Sequence, residues 1–154
     1  MPGSSLWLVP PPTHPLHAVL TTLITRTLPA RFPLETSSSP AVAPHFFAPH
    51  VTLTSEIAPA LYDGYNGGPQ AWLREWREAY GPHLSLMYGD VPITDETLKE
   101  VTRVVQEAGV VLSEETPGGT DAGGRWDGWD GGVIWLVPTD KPIAEWKPIA
   151  TRQL

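Results

Sequence analysis

The sequence predicts an α+β domain in which antiparallel strands carry helices on their outside, and three observations carry that reading. Short segments with strand-like alternation recur along the chain, several of them stopped by proline. Longer segments repeat their apolar residues at helical spacing. Two short sequences, Trp-Leu-Val-Pro and Pro-His-apolar-hydroxyl-Leu, each occur twice. With 154 residues the chain can build one domain with a real core and is too short for two comfortable ones, so residues 1–154 are read as a single domain.

Taken in order, residues 4–9 (SSLWLV) read as a strand closed by Pro10-Pro11-Pro12. Thr13 is the expected N-cap of a helix over 14–28, with Pro15 in its first turn and Leu16, Leu20, Leu23, Ile24 and Leu28 along one face. Residues 33–45, rich in Pro, Ser and Ala, read as a loop, and 50–55 (HVTLTS) alternate as a strand. A second helix is expected over 70–79, with Trp72 and Trp76 on its core side, and a further strand over 83–88 (HLSLMY). Thr94-Asp95-Glu96 opens a third helix with acidic residues that favour the dipole. Leu98, Val101, Val104, Val105 and Ala108 make its expected buried face, and Gly109 ends it. Val110–Leu112 reads as a short strand and 114–131 as a loop without periodicity. Residues 132–138 (GVIWLVP) form a strand, with 145–151 as its antiparallel partner, placed at an edge by Pro148.

Composition narrows the function. The chain has no cysteine, which removes disulfides, thiolate metal sites and a cysteine nucleophile together, and fits a reducing compartment. No apolar run approaches the ~18 residues that span a bilayer, and MPGSSLWLVPPP lacks the basic start and apolar core of a signal peptide. The expectation is a cytoplasmic monomer with no membrane insertion. A net charge of −7 makes long nucleic acid a poor partner and leaves a small anionic ligand open. No Gly-x-x-x-x-Gly-Lys-Ser/Thr phosphate loop occurs.

The repeated histidine sequence is the strongest functional signal. It reads Pro49-His50-Val51-Thr52-Leu53 and Pro82-His83-Leu84-Ser85-Leu86. In a strand, residues two apart share a face, so each copy sets an imidazole beside a hydroxyl with apolar residues beneath. Two such units across a groove supply two groups that titrate near neutral pH and two hydroxyl donors. That equipment suits in-line displacement at phosphorus without a metal. A lone strand histidine is more often structural than catalytic; the doubling gives the pattern its weight. His14 and His17 read as solvated positions at a helix start, and His45 as an unlikelier metal ligand. Trp126 or Trp129 stacking on a base, and Arg125 meeting a phosphate, are the weaker options of the loop.

These residues resemble the two-histidine phosphoesterase superfamily, whose signature is two His-x-Thr/Ser motifs, and within it the fungal and plant 2′,3′-cyclic-nucleotide 3′-phosphodiesterases. SLWLVPPP (5–12), PHVTLTSEI (49–57), PHLSLMYGD (82–90) and GGVIWLVPTDKPIAEWKPIA (131–150) carry the resemblance. It implies two lobes of antiparallel strands around a central groove with helices outside. It also implies metal-independent opening of 2′,3′-cyclic phosphates to 2′-phosphates, and of ADP-ribose 1″,2″-cyclic phosphate, a by-product of tRNA splicing, with no cofactor. By resemblance His50 and His83 are the catalytic pair, with His50 as acid to the leaving 3′-oxygen and His83 as base to water; Thr52 and Ser85 are the phosphate-binding hydroxyls. Tyr88 matches a substrate-side tyrosine, although strict alternation puts it on the face opposite His83 unless the strand ends or twists. Resemblance to fungal members offers a Golgi-associated location as the alternative compartment.

The interval between the two histidines is much shorter than in the family, with the expected helix at 70–79 lying across an apparent junction. One lobe is therefore expected to be incomplete. Two rival readings follow: a non-catalytic module that binds nucleotides or RNA ends, and an inactive shortened paralogue.

Overall fold

The computed structural model describes residues 3–57, 66–68, 70–71, 74–75, 80–111 and 128–154. They form the expected α+β arrangement: a five-stranded sheet in the order β3-β2-β1-β4-β5, every ladder antiparallel, with helices packed against it. The strands are β1 (Ser4–Val9), β2 (Val51–Ile57), β3 (His83–Leu84), β4 (Val133–Pro138) and β5 (Ala150–Gln153). The two Trp-Leu-Val-Pro copies are neighbours at the sheet centre, with Trp7 directly opposite Trp135. Along β1, Ser5, Trp7 and Val9 are buried on one face. Leu8 points to the other, as the two-residue period of a strand demands.

The first helical run is longer than the periodicity predicts. It comprises α1 (Pro15–Thr22), a wide turn of π-helix over Leu23–Thr27 and α2 (Leu28–Arg31). Its cap is His14, whose Nδ1 accepts the Leu16 N–H at 3.2 Å, one residue beyond the expected Thr13. Proline inside a helix lacks a donor and crowds the carbonyl four residues back. Here that pair is Pro29 and Thr25, and the wide turn, in which the Leu28 N–H bonds to the Leu23 carbonyl, accommodates the ring. A short helical turn, α3 (Pro33–Thr36), stands inside the expected loop because the Thr36 N–H and hydroxyl both bond the Phe32 carbonyl.

Helix α4 (Asp95–Glu107) starts as predicted: Thr94 Oγ1 accepts the Thr97 N–H at 3.1 Å. It ends at Gly109, whose φ of +89° suits glycine. Its buried contact comes from Val104 and Val105, whereas Leu98 is 57% exposed, contrary to expectation. The helix covers the core with its second half, so its first turn projects past it. Glu100 bridges Arg31 and Arg103, joining the two helical layers, and these guanidiniums, Arg103 foremost, draw its carboxyl down to about 2.

Leu16, Leu20, Leu23, Leu28, Phe32, Val104 and Val105 form the core between helices and sheet. The opposite face carries Trp7, Val9 and Val137, with Trp135 and Trp146 packed against them.

Three strand expectations need correction. The strand expected over 83–88 keeps ladder geometry through His83–Leu84 alone. Beyond it, Leu86 and Tyr88 turn aside to pack on the Ile24, Val42, Phe47 and Ile143 cluster, and the Tyr88 N–H bonds His45 Nε2 instead of a strand partner. Val110 forms an isolated bridge. Pro148 precedes β5 rather than lying in it, though β5 is the edge strand expected. The helix over 70–79, with Trp72 and Trp76, falls largely outside the described residues, as do most of the 114–131 loop, Arg125 and Trp126. Among the described residues no helix is long and apolar enough to cross a membrane.

Gly132, which leads into β4, has φ +112°, and a Cβ there would come within 2.3 Å of the Val9 carbonyl oxygen. Gly132→Ala is therefore expected to destabilise the fold by about 2 kcal/mol. Urea unfolding checks this through a lowered midpoint at unchanged slope; an unchanged midpoint would show that β4 yields freely at its start.

Candidate active site

The two histidine motifs lie side by side. Strands β2 and β3 pair antiparallel with Val51 opposite Leu84 and Thr52 opposite His83. Directly paired residues share a face, so Thr52 and His83 project from one side of the sheet and Val51 and Leu84 from the other. The ladder thus sets the imidazole-bearing residue of the second motif beside the hydroxyl-bearing Thr52 of the first, which is the structural meaning of the repetition. The row containing Thr52 and His83 continues across the sheet through Trp7, Trp135 and Thr151.

The prolines explain why both rings are held alike. Proline fixes its own φ and drives the residue before it into extended geometry. In both copies the carbonyl two residues before the histidine meets its Nδ1: Ala48 O to His50 at 2.7 Å, and Gly81 O to His83 at 3.0 Å. A carbonyl can only accept, so each Nδ1 carries the hydrogen and each neutral Nε2 presents a lone pair.

The surroundings then break the symmetry. His50 is fully buried, stacked on the Trp7 indole with ring centres 3.6 Å apart and planes within 6°, and Phe47 meets it edge-on at 5.8 Å. Its Nε2 is buried without a hydrogen-bond partner. Burial pushes its pKa down to about 4; the Ala48 carbonyl opposes that shift and the charge of His83 adds to it. His83 is exposed, with the Tyr80 ring 5.6 Å from it.

The motif hydroxyls are each met by a tyrosine. Thr52 is buried; hydrogen bonding of Ser55 and Thr52 to the Tyr80 oxygen, and of Ser85 to the Tyr88 oxygen, holds those phenols down against burial. Desolvation raises both phenols above their usual range. Tyr88 reaches Ser85 because the ladder stops at Leu84, which removes the alternation that would have sent it to the far face. Its ring packs edge-on against Phe47 and Trp146, both at 5.1 Å. Beyond Thr52 the β1–β2 register shifts twice and Glu56 takes φ +58°, so β2 twists away after the motif.

Other candidates separate from this group. Both ring nitrogens of His45 are used by backbone, Nδ1 on the Ile24 carbonyl and Nε2 on the Tyr88 N–H, each at 3.0 Å. No lone pair is left for a metal, and the ring clamps the segment that carries Tyr88. Among the described residues no three His, Asp or Glu side chains converge at metal-binding spacing. Trp129 lines an apolar cavity of about 350 Å³ with Leu8, Val51 and Leu84, on the face opposite the histidines, so it is not placed to stack on a base beside them. His14 caps α1. The sequence reading missed Trp7, Phe47, Tyr80 and Trp146. Tyr80, three residues before His83, was visible in sequence; the other three needed the sheet register and the tertiary packing of the 47 and 146 segments.

A family model described as "Cyclic phosphodiesterase-like protein" matches the chain in two segments, residues 1–75 and 60–154. A Neurospora crassa protein named "2′,3′-cyclic-nucleotide 3′-phosphodiesterase" is 42% identical over 217 aligned residues, covering 100% of both chains. A Phaeosphaeria nodorum protein of the same name is 34% identical over 214, again covering 100% of both. Both alignments are far longer than the 154-residue chain, so these relatives carry residues that it lacks. The two matched segments overlap over residues 60–75, inside the short interval between the motifs. No solved structure matches. On these matches the chain belongs to the cyclic phosphodiesterase-like protein family.

Proposed function

We propose that this chain hydrolyses 2′,3′-cyclic phosphates of nucleosides to 2′-phosphates, without a metal, using His50 and His83 as an acid–base pair. The observation that carries the reading is the antiparallel register that sets Thr52 opposite His83 and leaves both imidazoles presenting Nε2 from one face. The family and the names of its two relatives support the substrate class. ADP-ribose 1″,2″-cyclic phosphate presents the same ring at phosphorus and is a second substrate of this reading.

The step balances simply. Water attacks phosphorus, the P–O3′ bond breaks, one imidazole takes the proton from water and the other delivers one to O3′. Thr52 and Ser85 donate to the non-bridging oxygens, where charge develops. His83, exposed, is open to water and serves as base. His50 is neutral at pH 7 in the free protein, so the acid role requires that it gain a proton when substrate arrives. The anionic phosphate supplies the reason: it brings an acceptor and a negative charge to a buried nitrogen without a partner, and a neighbouring opposite charge raises a histidine pKa. Trp7 and Ala48 hold the ring so that the new N–H points at the leaving oxygen. A binding-only reading draws on the residues that the relatives have and this chain lacks.

Turnover of 2′,3′-cyclic AMP should persist in EDTA. His50→Ala and His83→Ala should each lower kcat by roughly 10²–10⁴, with Thr52→Ala and Ser85→Ala losing less. Saturable binding of 2′-AMP with no turnover would select the binding-only reading.

A second test follows from burial of the histidine. The folded-state pKa of His50, about 4, lies below the unfolded value of 6.5. Between these values the unfolded chain binds the extra proton, so stability is complete above pH 6.5 and is lost as pH falls toward 4. The loss attributable to this ring is on the order of 3 kcal/mol. Urea unfolding at stepped pH should show it. His50→Asn, which keeps a donor for the Ala48 carbonyl but does not titrate, should flatten the slope without abolishing it, since burial also lowers the pKa of His45. An equal slope in the variant would place the titration elsewhere.

A further inference from the structure

We propose that Trp7 is a positioning residue for the acid: its indole lies flat on His50 and stabilises the imidazolium, the state that ring must reach to protonate the leaving oxygen. The inference rests on the reading of His50 as the acid of a cyclic-phosphate site and adds to it a residue outside both motifs.

The two ring centres are 3.6 Å apart and the planes lie within 6° of parallel. Both rings are buried. A charged imidazole can be stabilised from three directions, its two nitrogens and its flat face. At Nδ1 stands the Ala48 carbonyl, 2.7 Å away. Nε2, buried without a partner, is the position offered to the phosphate. Trp7 takes the third direction. The face of an indole is negative and attracts a cation held within ~6 Å of its centre, the more strongly where water is excluded. A neutral imidazole gains much less from that face, so the stack favours the protonated ring over the neutral one. In the free chain burial still wins, and the ring titrates at about 4. The anion then acts on a ring whose other two contacts already favour the proton.

Trp7 is held for this task. It belongs to β1, inside the sheet, packs with Val9 and Val137, and is met edge-on by Trp146 with ring centres 5.7 Å apart and planes at 72°. His83 has the matching carbonyl at Nδ1, but the Tyr80 ring beside it stands 5.6 Å away and tilted by 43°. The parallel indole thus belongs to the histidine assigned the acid role, and the exposed histidine keeps water as its neighbour. The titratable groups on the elements packed around His50 are His83 on β3, His45 and Tyr88 beyond the Phe47 ring, and Glu145 and Lys147 on either side of Trp146. None of them changes when the indole alone is altered.

Fluorine drains the face of an indole while nearly preserving its shape, so tryptophans with one, two and three ring fluorines in place of Trp7 keep the packing. The His50 ring signals, assigned by their loss in His50→Asn, are followed by NMR against pH, in the free chain and with 2′-AMP. The titration point should fall with each fluorine, by about half a pH unit over the series, and by about one pH unit in Trp7→Leu. Above that point, kcat on 2′,3′-cyclic AMP in EDTA should fall about threefold in Trp7→Leu, with KM within about twofold. The fall is smaller than the loss of protonated ring because a more acidic imidazolium gives up its proton more readily. A titration point indifferent to fluorine in the folded chain would overturn the inference, whether or not Trp7→Leu folds. A shifted titration at unchanged kcat would overturn it as well. Absence of turnover in the native chain defeats the enzymatic reading and the catalytic role of the stack with it. The fluorine series in the free chain still decides, separately, whether the indole stabilises the charge.

Discussion

Two residue pairs, Val51 with Leu84 and Thr52 with His83, hold the site together. Everything chemical in the molecule depends on that short ladder, because it converts two sequence repeats into one face. Its brevity sets a demand on its surroundings. A two-residue ladder is marginal by itself, so other contacts must hold the register. Below the strands, Leu84 and Leu86 pack against the helical core. Above them, His45 ties the Tyr88 backbone to the wide turn in the middle of the first helical run. The register is thus fixed by packing on one face and hydrogen bonds on the other, and a slip of one residue would turn the imidazole of His83 into the apolar core.

The same ladder produces chemical asymmetry from near-symmetric parts. Both histidines share a proline, a carbonyl partner and a tautomer. They differ in position within the sheet. His50 lies on the inner side, where β1 supplies Trp7 as a stacking partner and the 47 and 146 segments close over it. His83 belongs to the edge strand and stays in water. Desolvation therefore lowers the proton affinity of one ring while the other remains solvated. Position within the sheet, rather than any difference in motif, thus sets the two rings apart.

How far the sequence revealed this depends on the range of each interaction. β1, β4 and the start and end of α4 were legible because alternation, the Thr94 cap and Gly109 act within a few residues. The pairing of the two motif strands was legible through their repeated context. The truncation of β3 was not, because it results from the Ile24, Val42 and Phe47 cluster drawing Leu86 and Tyr88 out of the ladder, a contact between distant segments. Leu98 carries the right period but lies beyond the part of the helix that meets the core. The stack of Trp7 on His50 needed the β1–β2 register, which irregularities in β2 shift away from simple counting. Pattern reports what a residue prefers; which neighbour satisfies the preference is set by the rest of the fold.

The shortened interval between the motifs bears differently on two properties of the site. Bringing the strands together costs loop-closure entropy that grows slowly with loop length, about 0.6 kcal/mol per doubling. A shorter connection therefore assists the β2–β3 pairing slightly rather than hindering it. Among the described residues β3 forms one edge of the sheet, and Val91, Ile93 and Leu98 are exposed apolar groups. Each such group forgoes burial at about 25 cal/mol per Å². That exposure bears on global stability. It does not bear on the tautomers, since both carbonyl partners lie within two residues of their histidines. The orientation of the rings is thus local, so stability and the geometry of the imidazoles are separable quantities in this chain.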